Sequence, residues 1–208
     1  MADPIRIAGP RLTAIDGRRL AKEYRDALSP GGMRCDSAGV EHRLPRFFYE
    51  IASWDFAMAI RLTPSFGLWE LVQTDVREAV ILQSFPRYVP CALPLLAFAL
   101  EQFRTATNTF VHIAANGGYR SPAHKLSCGV ASPHCWGTAV NIYKVGDTLI
   151  DNAYAHEKYA QIARDSIPGV HVKPFGEGRD DTDDHLHLDL GYVVSVPHGL
   201  IGAGGVIA

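Results

Sequence analysis

The sequence predicts an α+β fold, a short antiparallel sheet flanked by helices, from three observations. Leu93, Leu96, Leu100 and Phe103 recur at helical spacing, which predicts a helix over about 91–106. Runs rich in β-forming residues stand at Thr109 to Ala115, Ala139 to Val145 and His185 to Leu190. Asn152 is placed to cap a further helix to about Ser166, where Pro168-Gly169 stops it.

Taken in order, the first ninety residues mix short helical and extended signals. Asp16 is expected to cap a helix through Leu28, ended by Ser29-Pro30-Gly31-Gly32. Phe47, Phe48, Tyr49, Trp54 and Phe56 crowd the stretch to Ile60, which reads as a packing layer or dimer face because large apolar side chains mostly go inside. Beyond the first central strand, Gly117-Gly118 and Pro122 mark a loop. His171 to Lys173 and Tyr192 to Val196 are expected as further strands, and 202–208 as a mobile tail.

A chain of 208 residues, 47% of them hydrophobic, can bury a sizeable core. The expected organisation is an N-terminal extension over 1–90 packed on the core, a metal-binding domain over 91–198 and a tail over 199–208. The formal charge of −2, without runs of either sign, argues against nucleic acid or an anionic membrane as partner. The opening MADPIRIAGP lacks the pattern of a secretory signal, and the apolar run Cys91 to Leu100 is short and interrupted by Pro94. A cytoplasmic chain is expected, with Cys35, Cys91, Cys128 and Cys135 as free thiols.

Two segments carry chemistry. In Ser132-Pro-His134-Cys-Trp-Gly137-Thr-Ala139-Val-Asn141, an imidazole and a side-chain oxygen lie on either side of a glycine that permits a turn into a strand. In Asp183-Asp184-His185-Leu186-His187-Leu188-Asp189, strand alternation projects His185 and His187 to one face and Leu186 and Leu188 to the core. A catalytic divalent metal keeps three protein ligands and one open position, and needs an acidic neighbour to take a proton. Asp184 is the first candidate for that base, with Asp181, Asp183 and Glu177 as substitutes. Cys135 reads as a buried thiol, Trp136 as a pocket wall and His124 as a surface histidine. His42, His112, His156, His171 and His198 have no partner pattern.

Together with Gly118-Tyr119-Arg120-Ser121-Pro122, these segments resemble the superfamily of D-alanyl-D-alanine carboxypeptidases, lysostaphin-like endopeptidases and hedgehog proteins. Its pattern is Ser-x-His-x-x-Gly-x-Ala-x-Asp followed by an acidic residue and a final His, often His-x-His. Ser132, His134, Gly137 and Ala139 match by position, as does His185-Leu186-His187, and the resemblance covers about 90–197.

The resemblance implies a hedgehog/DD-peptidase-like fold and a zinc-dependent peptidase or amidase acting on a short peptide or muropeptide, one containing a D-amino acid included. It implies His134, Asn141 and His187 as metal ligands, and Asp184 with His185 as catalytic groups. Arg120 would hold a carboxylate or carbonyl oxygen, and Ser132 would hydrogen-bond substrate.

The chain has Asn141 where that pattern has aspartate, which removes one negative charge from the donor set. Three outcomes stay open: zinc held through the amide oxygen, recruitment of His185 as a third imidazole, or a degenerate site in a protein that binds peptide, glycan or protein without hydrolysis. A three-imidazole set would also suit copper or iron.

Overall fold

The computed structural model of the chain describes residues 11–127, 129–176 and 184–198. The chain opens with β1 (Thr13–Asp16), α1 (Lys22–Leu28), β2 (Met33–Cys35), β3 (Glu41–Arg43) and β4 (Phe47–Glu50). Three short helices, α2 (Trp54–Ala59), α3 (Leu68–Leu71) and α4 (Val80–Gln83), lead to β5 (Tyr88–Pro90) and the long α5 (Leu93–Thr107). Then come β6 (Val111–Ile113), β7 (Ala139–Val145), β8 (Thr148–Leu149), α6 (Ala153–Ser166), β9 (His171–Val172) and β10 (Leu186–Asp189). The fold is α+β, with several small antiparallel sheets.

The sheet that matters for function runs β6-β7-β10-β9, with β8 also on β7. Its core face is made by alternate residues: Val140 and Ile142 of β7 and Leu186 and Leu188 of β10 are all buried. Against that face pack Leu96, Leu100 and Phe103 of α5 and Tyr159, Ala160 and Ala163 of α6. The same cluster takes in Leu28, Phe48, Leu68, Leu71 and Leu82, so the first ninety residues share the core of the later sheet. Each large side chain buried there contributes about 1.5–3 kcal/mol, an upper range because the unfolded chain is already partly collapsed.

β7 and α6 have the extents expected of them, and for the local reasons expected. Gly137, at φ 68°, turns the chain into β7, while Asn152 Oδ1 accepts from Ala155 N at 2.9 Å to start α6. Other elements differ. Asp16 caps a 3-10 turn at Gly17–Arg19 instead of a helix through Leu28, and α1 starts afresh at Lys22. Arg46 reaches Asp16 from the far side at 2.6 Å, a partner thirty residues along the chain that no local pattern reveals.

Tyr192 to Val196 does not form a strand. Gly191, at φ 73°, turns the chain out of the sheet. Tyr192 then stacks on His42 with ring centroids 3.6 Å apart and meets Trp136 edge-on. The tail over 199–208 lies outside the described residues. Among the described residues, no helix is long and apolar enough to cross a membrane.

Candidate metal centre

His134 sits in a 3-10 turn, Pro133–Trp136, with Ser132 before it and Gly137 after it. The turn is anchored from below by Trp136, which is fully buried and donates its indole N–H to Arg43 O at 3.0 Å. Trp136 is therefore part of a small second core with Leu44, Ala131 and Cys135, not a pocket wall. The His134 ring is 2% exposed, and its Nδ1 lies 2.7 Å from Gly118 O. A carbonyl can only accept, so Nδ1 carries the proton and the lone pair is at Nε2.

Asn141 and His187 face each other across the β7–β10 ladder as register partners. His187 Nδ1 is 2.9 Å from Asn141 Oδ1, and its Nε2 is 3.2 Å from Asp189 Oδ2. Asp189 also accepts from His171 Nδ1 at 2.9 Å and from Gly191 N at 2.8 Å. Burial raises the Asp189 pKa, but the hydrogen bonds from His187, His171 and Gly191 outweigh it and hold the carboxyl below its usual range. An ionised Asp189 favours the His187 tautomer that donates from Nε2, and in that tautomer Nδ1 presents a lone pair to Asn141.

Burial lowers the pKa of His187. His134 is lowered well below the ordinary value by burial first, then by the Arg120 cation and by His187. Both imidazoles are thus neutral ligand forms. Their ring centroids lie 5.1 Å apart at 66°.

The separation of the two imidazoles is the size a shared divalent cation would need, while the 2.9 Å between His187 Nδ1 and Asn141 Oδ1 is a hydrogen-bond distance, shorter than that between adjacent zinc ligands. Two imidazoles on one tetrahedral zinc, with bonds of about 2.0–2.1 Å, have centroids about 5 Å apart, and adjacent ligand atoms sit about 3.3 Å apart. Neutral His187 Nδ1 and an amide oxygen are two facing acceptors. Either a cation between them or an amide rotated to present its N–H satisfies both, since the two amide orientations are isosteric. Among the described residues there is no group of three or more His, Cys, Asp and Glu side chains that could hold a metal ion.

The remaining candidates are spread around this pair. Arg120 is 5% exposed; its Nε donates to Asn116 O at 2.9 Å, and its backbone N donates to His134 O at 3.3 Å. His185 is 9% exposed and close enough to His134 and His187 to depress both pKa values further. Asp184 is turned outward: its side chain is 79% exposed and its Oδ1 pairs with Nδ1 of His185 at 2.5 Å. Ser132 is half-buried, and its side chain makes no capping bond to the turn it precedes. Glu177, Asp181 and Asp183 lie outside the described residues, as does Cys128.

A further expectation is corrected, and the expected free thiols are found. His124 is fully buried, not on the surface: Asp75 Oδ1 lies 3.3 Å from its Nε2, and its Nδ1 accepts from Leu126 N at 3.1 Å. Burial lowers its pKa, against the pull of Glu78 and Asp75. Cys35, Cys91 and Cys135 are free thiols, and burial raises Cys91 to about 12 and Cys135 to about 11, far from a reactive thiolate.

Three residues that support the candidate site were missed. Asp189 carried a visible signal, since it follows His187 by two positions on the same strand face. His171 did not, because it meets Asp189 only through the β9–β10 register. Glu78 comes from the extension: it is 4% exposed and accepts from Ser121 N at 3.0 Å and Ser121 Oγ at 2.5 Å, fixing the residue after Arg120.

Comparison with family models, with curated proteins and with solved structures gives no match to this chain.

Proposed function

We propose that His134, Asn141 and His187 hold a zinc ion and that the protein is a peptidase or amidase of the D-alanyl-D-alanine carboxypeptidase, lysostaphin-like and hedgehog superfamily, acting on a short peptide. The observation that carries this reading is the arrangement of lone pairs. Gly118 O accepts a hydrogen bond from His134 Nδ1, which leaves a lone pair on Nε2 of a ring 5.1 Å from that of His187, and an ionised Asp189 at His187 Nε2 favours a lone pair on Nδ1, beside the Asn141 amide. Buried acceptors left facing one another are costly unless a proton or cation lies between them.

When bound there, a divalent cation polarises a scissile carbonyl and brings water's pKa towards neutrality. The chain's own groups then have distinct tasks. Arg120, planar and permanently charged, orients a substrate carboxylate or carbonyl oxygen from the buried side of the loop. His185, with Asp184 on its Nδ1, moves a proton between water and the leaving amine. Asp189 sets the tautomer of His187, and Ser132 contributes a hydroxyl to substrate.

A second reading is favoured by a specific observation: Asp184 points to solvent and Asn141 is neutral. Both weaken hydrolysis, and a site so altered would bind a peptide or partner without cleaving it. Metal analysis of protein purified without a metal-affinity tag separates the readings, with His134→Ala and His187→Ala alongside. About one zinc per chain, lost in both variants, with hydrolysis of short peptides, is the expected result. Zinc without hydrolysis moves the second reading forward, copper or iron replaces zinc chemistry with redox chemistry, and absence of metal from wild type overturns the proposal.

A further inference from the structure

We propose that the cleft along β6 binds an extended peptide as an added strand, main chain to main chain, and leads it towards the metal centre. This deepens the peptidase reading and rests on it for the fate of the peptide, though docking itself needs no metal.

β6 is the edge of its sheet, followed in order by β7, β10 and β9. An edge strand offers alternate N–H and C=O groups to whatever lies beside it. Beside β6 the surface encloses a cleft of about 560 Å³, walled on one side by 111–115 and on the other by Trp69, Glu70 and Gln73. That volume is ligand-sized, and a paired strand needs about 4.8 Å from its neighbour. Trp69 and Tyr143, 39% and 40% exposed, offer aromatic faces to side chains of such a strand. Among the described lining residues Glu70 carries the one carboxylate and His112 the one imidazole, none is a lysine or arginine, and Glu70 Oε1 is already bonded to Gly67 N at 2.8 Å. Apart from Glu70 and His112 the polar groups of the cleft are uncharged, with the main chain of 111–115 foremost among them, and these suit a peptide backbone.

The two walls converge on the candidate centre. Leu71, the last residue of α3, accepts from Tyr119 N at 2.8 Å, and a Cβ on Gly118 would lie 2.2 Å from Leu71 O, so the walls close at Gly118. Gly118 O is the group that holds His134. On the other wall, Ala114 N donates to Asn141 O at 2.9 Å. Asn116, the residue after the 111–115 wall, is 2% exposed and sits at φ 58°, and among the described residues neither polar atom of its side-chain amide has a partner.

The test is a nuclear magnetic resonance titration of the ¹⁵N-labelled full chain with acetyl-pentaalanine amide. Two further versions of the peptide are N-methylated at every second amide, in the two alternating phases. The expected result is movement of the amide signals of 111–115 and of the Trp69 indole. One N-methylated phase should bind at least about tenfold more weakly, because successive amides of a strand point to opposite sides. Trp69→Ala should weaken binding while leaving the fold, since that ring is half-exposed. Shifts confined to other regions, or equal binding of both N-methylated phases, would overturn the inference. The titration is repeated on His134→Ala, in which shifts at 111–115 are expected to persist. Zinc and hydrolysis without shifts at 111–115 would remove the docking inference and leave the peptidase reading, whereas shifts without zinc or hydrolysis would do the reverse.

Discussion

His187 lies directly across the ladder from Asn141, with Nδ1 2.9 Å from Oδ1, and on its other side Nε2 reaches Asp189 at 3.2 Å. One imidazole is thereby clamped between an amide and a carboxylate, and the carboxylate favours the tautomer that keeps its proton on Nε2.

Replacing Asn141 by aspartate adds a negative charge at the one neutral oxygen of the donor set. Zinc affinity is expected to rise at least about tenfold, measured by competition with a chromogenic chelator. Hydrolysis should rise with it if attenuated charge is what limits the site. An unchanged affinity would mean that Asn141 is not a ligand.

Asp189→Ala removes the partner that orients His187. Loss of such an outer hydrogen bond typically costs 10–100-fold in metal affinity, and about that loss is expected here in the same competition assay. His171→Ala should cost much less, because the His171 side chain is 65% exposed while that of Asp189 is 8%.

Gly118→Ala drives a methyl group into the backbone of Leu71, 2.2 Å from its carbonyl oxygen. Because both partners are main chain, the strain cannot be relieved by a side-chain rotation. A loss of several kcal/mol in urea unfolding is expected, together with loss of metal because Gly118 O holds His134. Near-wild-type stability would show that the α3 contact is loose.

Glu78→Gln replaces an acceptor-only group by one with two N–H donors. At least one of the bonds from Ser121 N and Ser121 Oγ then faces a donor or is lost. About 1–3 kcal/mol of destabilisation is expected by chemical denaturation. Substrate affinity should fall if the loop carrying Arg120 depends on this anchor.

Asp16 gives the pH test. Burial raises its pKa, but the hydrogen bonds from Arg46 and Arg18 pull it well below the ordinary 3.8. A folded-state pKa below the unfolded value means stability that is present above about pH 4 and lost as pH falls through the folded pKa. Asp16→Asn should therefore be destabilised by about 2 kcal/mol near neutrality, and the gap to wild type should narrow below pH 4 in thermal melts.

Local patterns were readable wherever the cause was local. The run Ala139–Val145 after a glycine, and the cap at Asn152 with the stop at Pro168-Gly169, fixed β7 and α6 because capping and β-propensity act over a few residues. Tyr192 to Val196 has the same β-rich composition and forms no strand, because Tyr192 is captured by His42 and Trp136 from distant segments. His124 misled for the matching reason: a loop histidine among polar neighbours is buried only because Asp75 and the α4 side of the chain fold over it.

The candidate centre divides in the same way. The sequence by itself determined the α+β class, the helical and strand periodicities, and the alternation that sets His187 and Asp189 on one strand face, because these depend on bond geometry within a single segment. Only the tertiary structure decided that Asn141 faces His187, that Gly118 fixes the tautomer of His134, that Asp189 is shared with His171, and that Glu78 of the extension anchors the loop of Arg120. Those relations depend on strand register and on packing between segments far apart in the chain. Burial of the whole hydrophobic face selects that register, since a slip of one residue would turn Leu186 and Leu188 to solvent and His187 and Asp189 into the core.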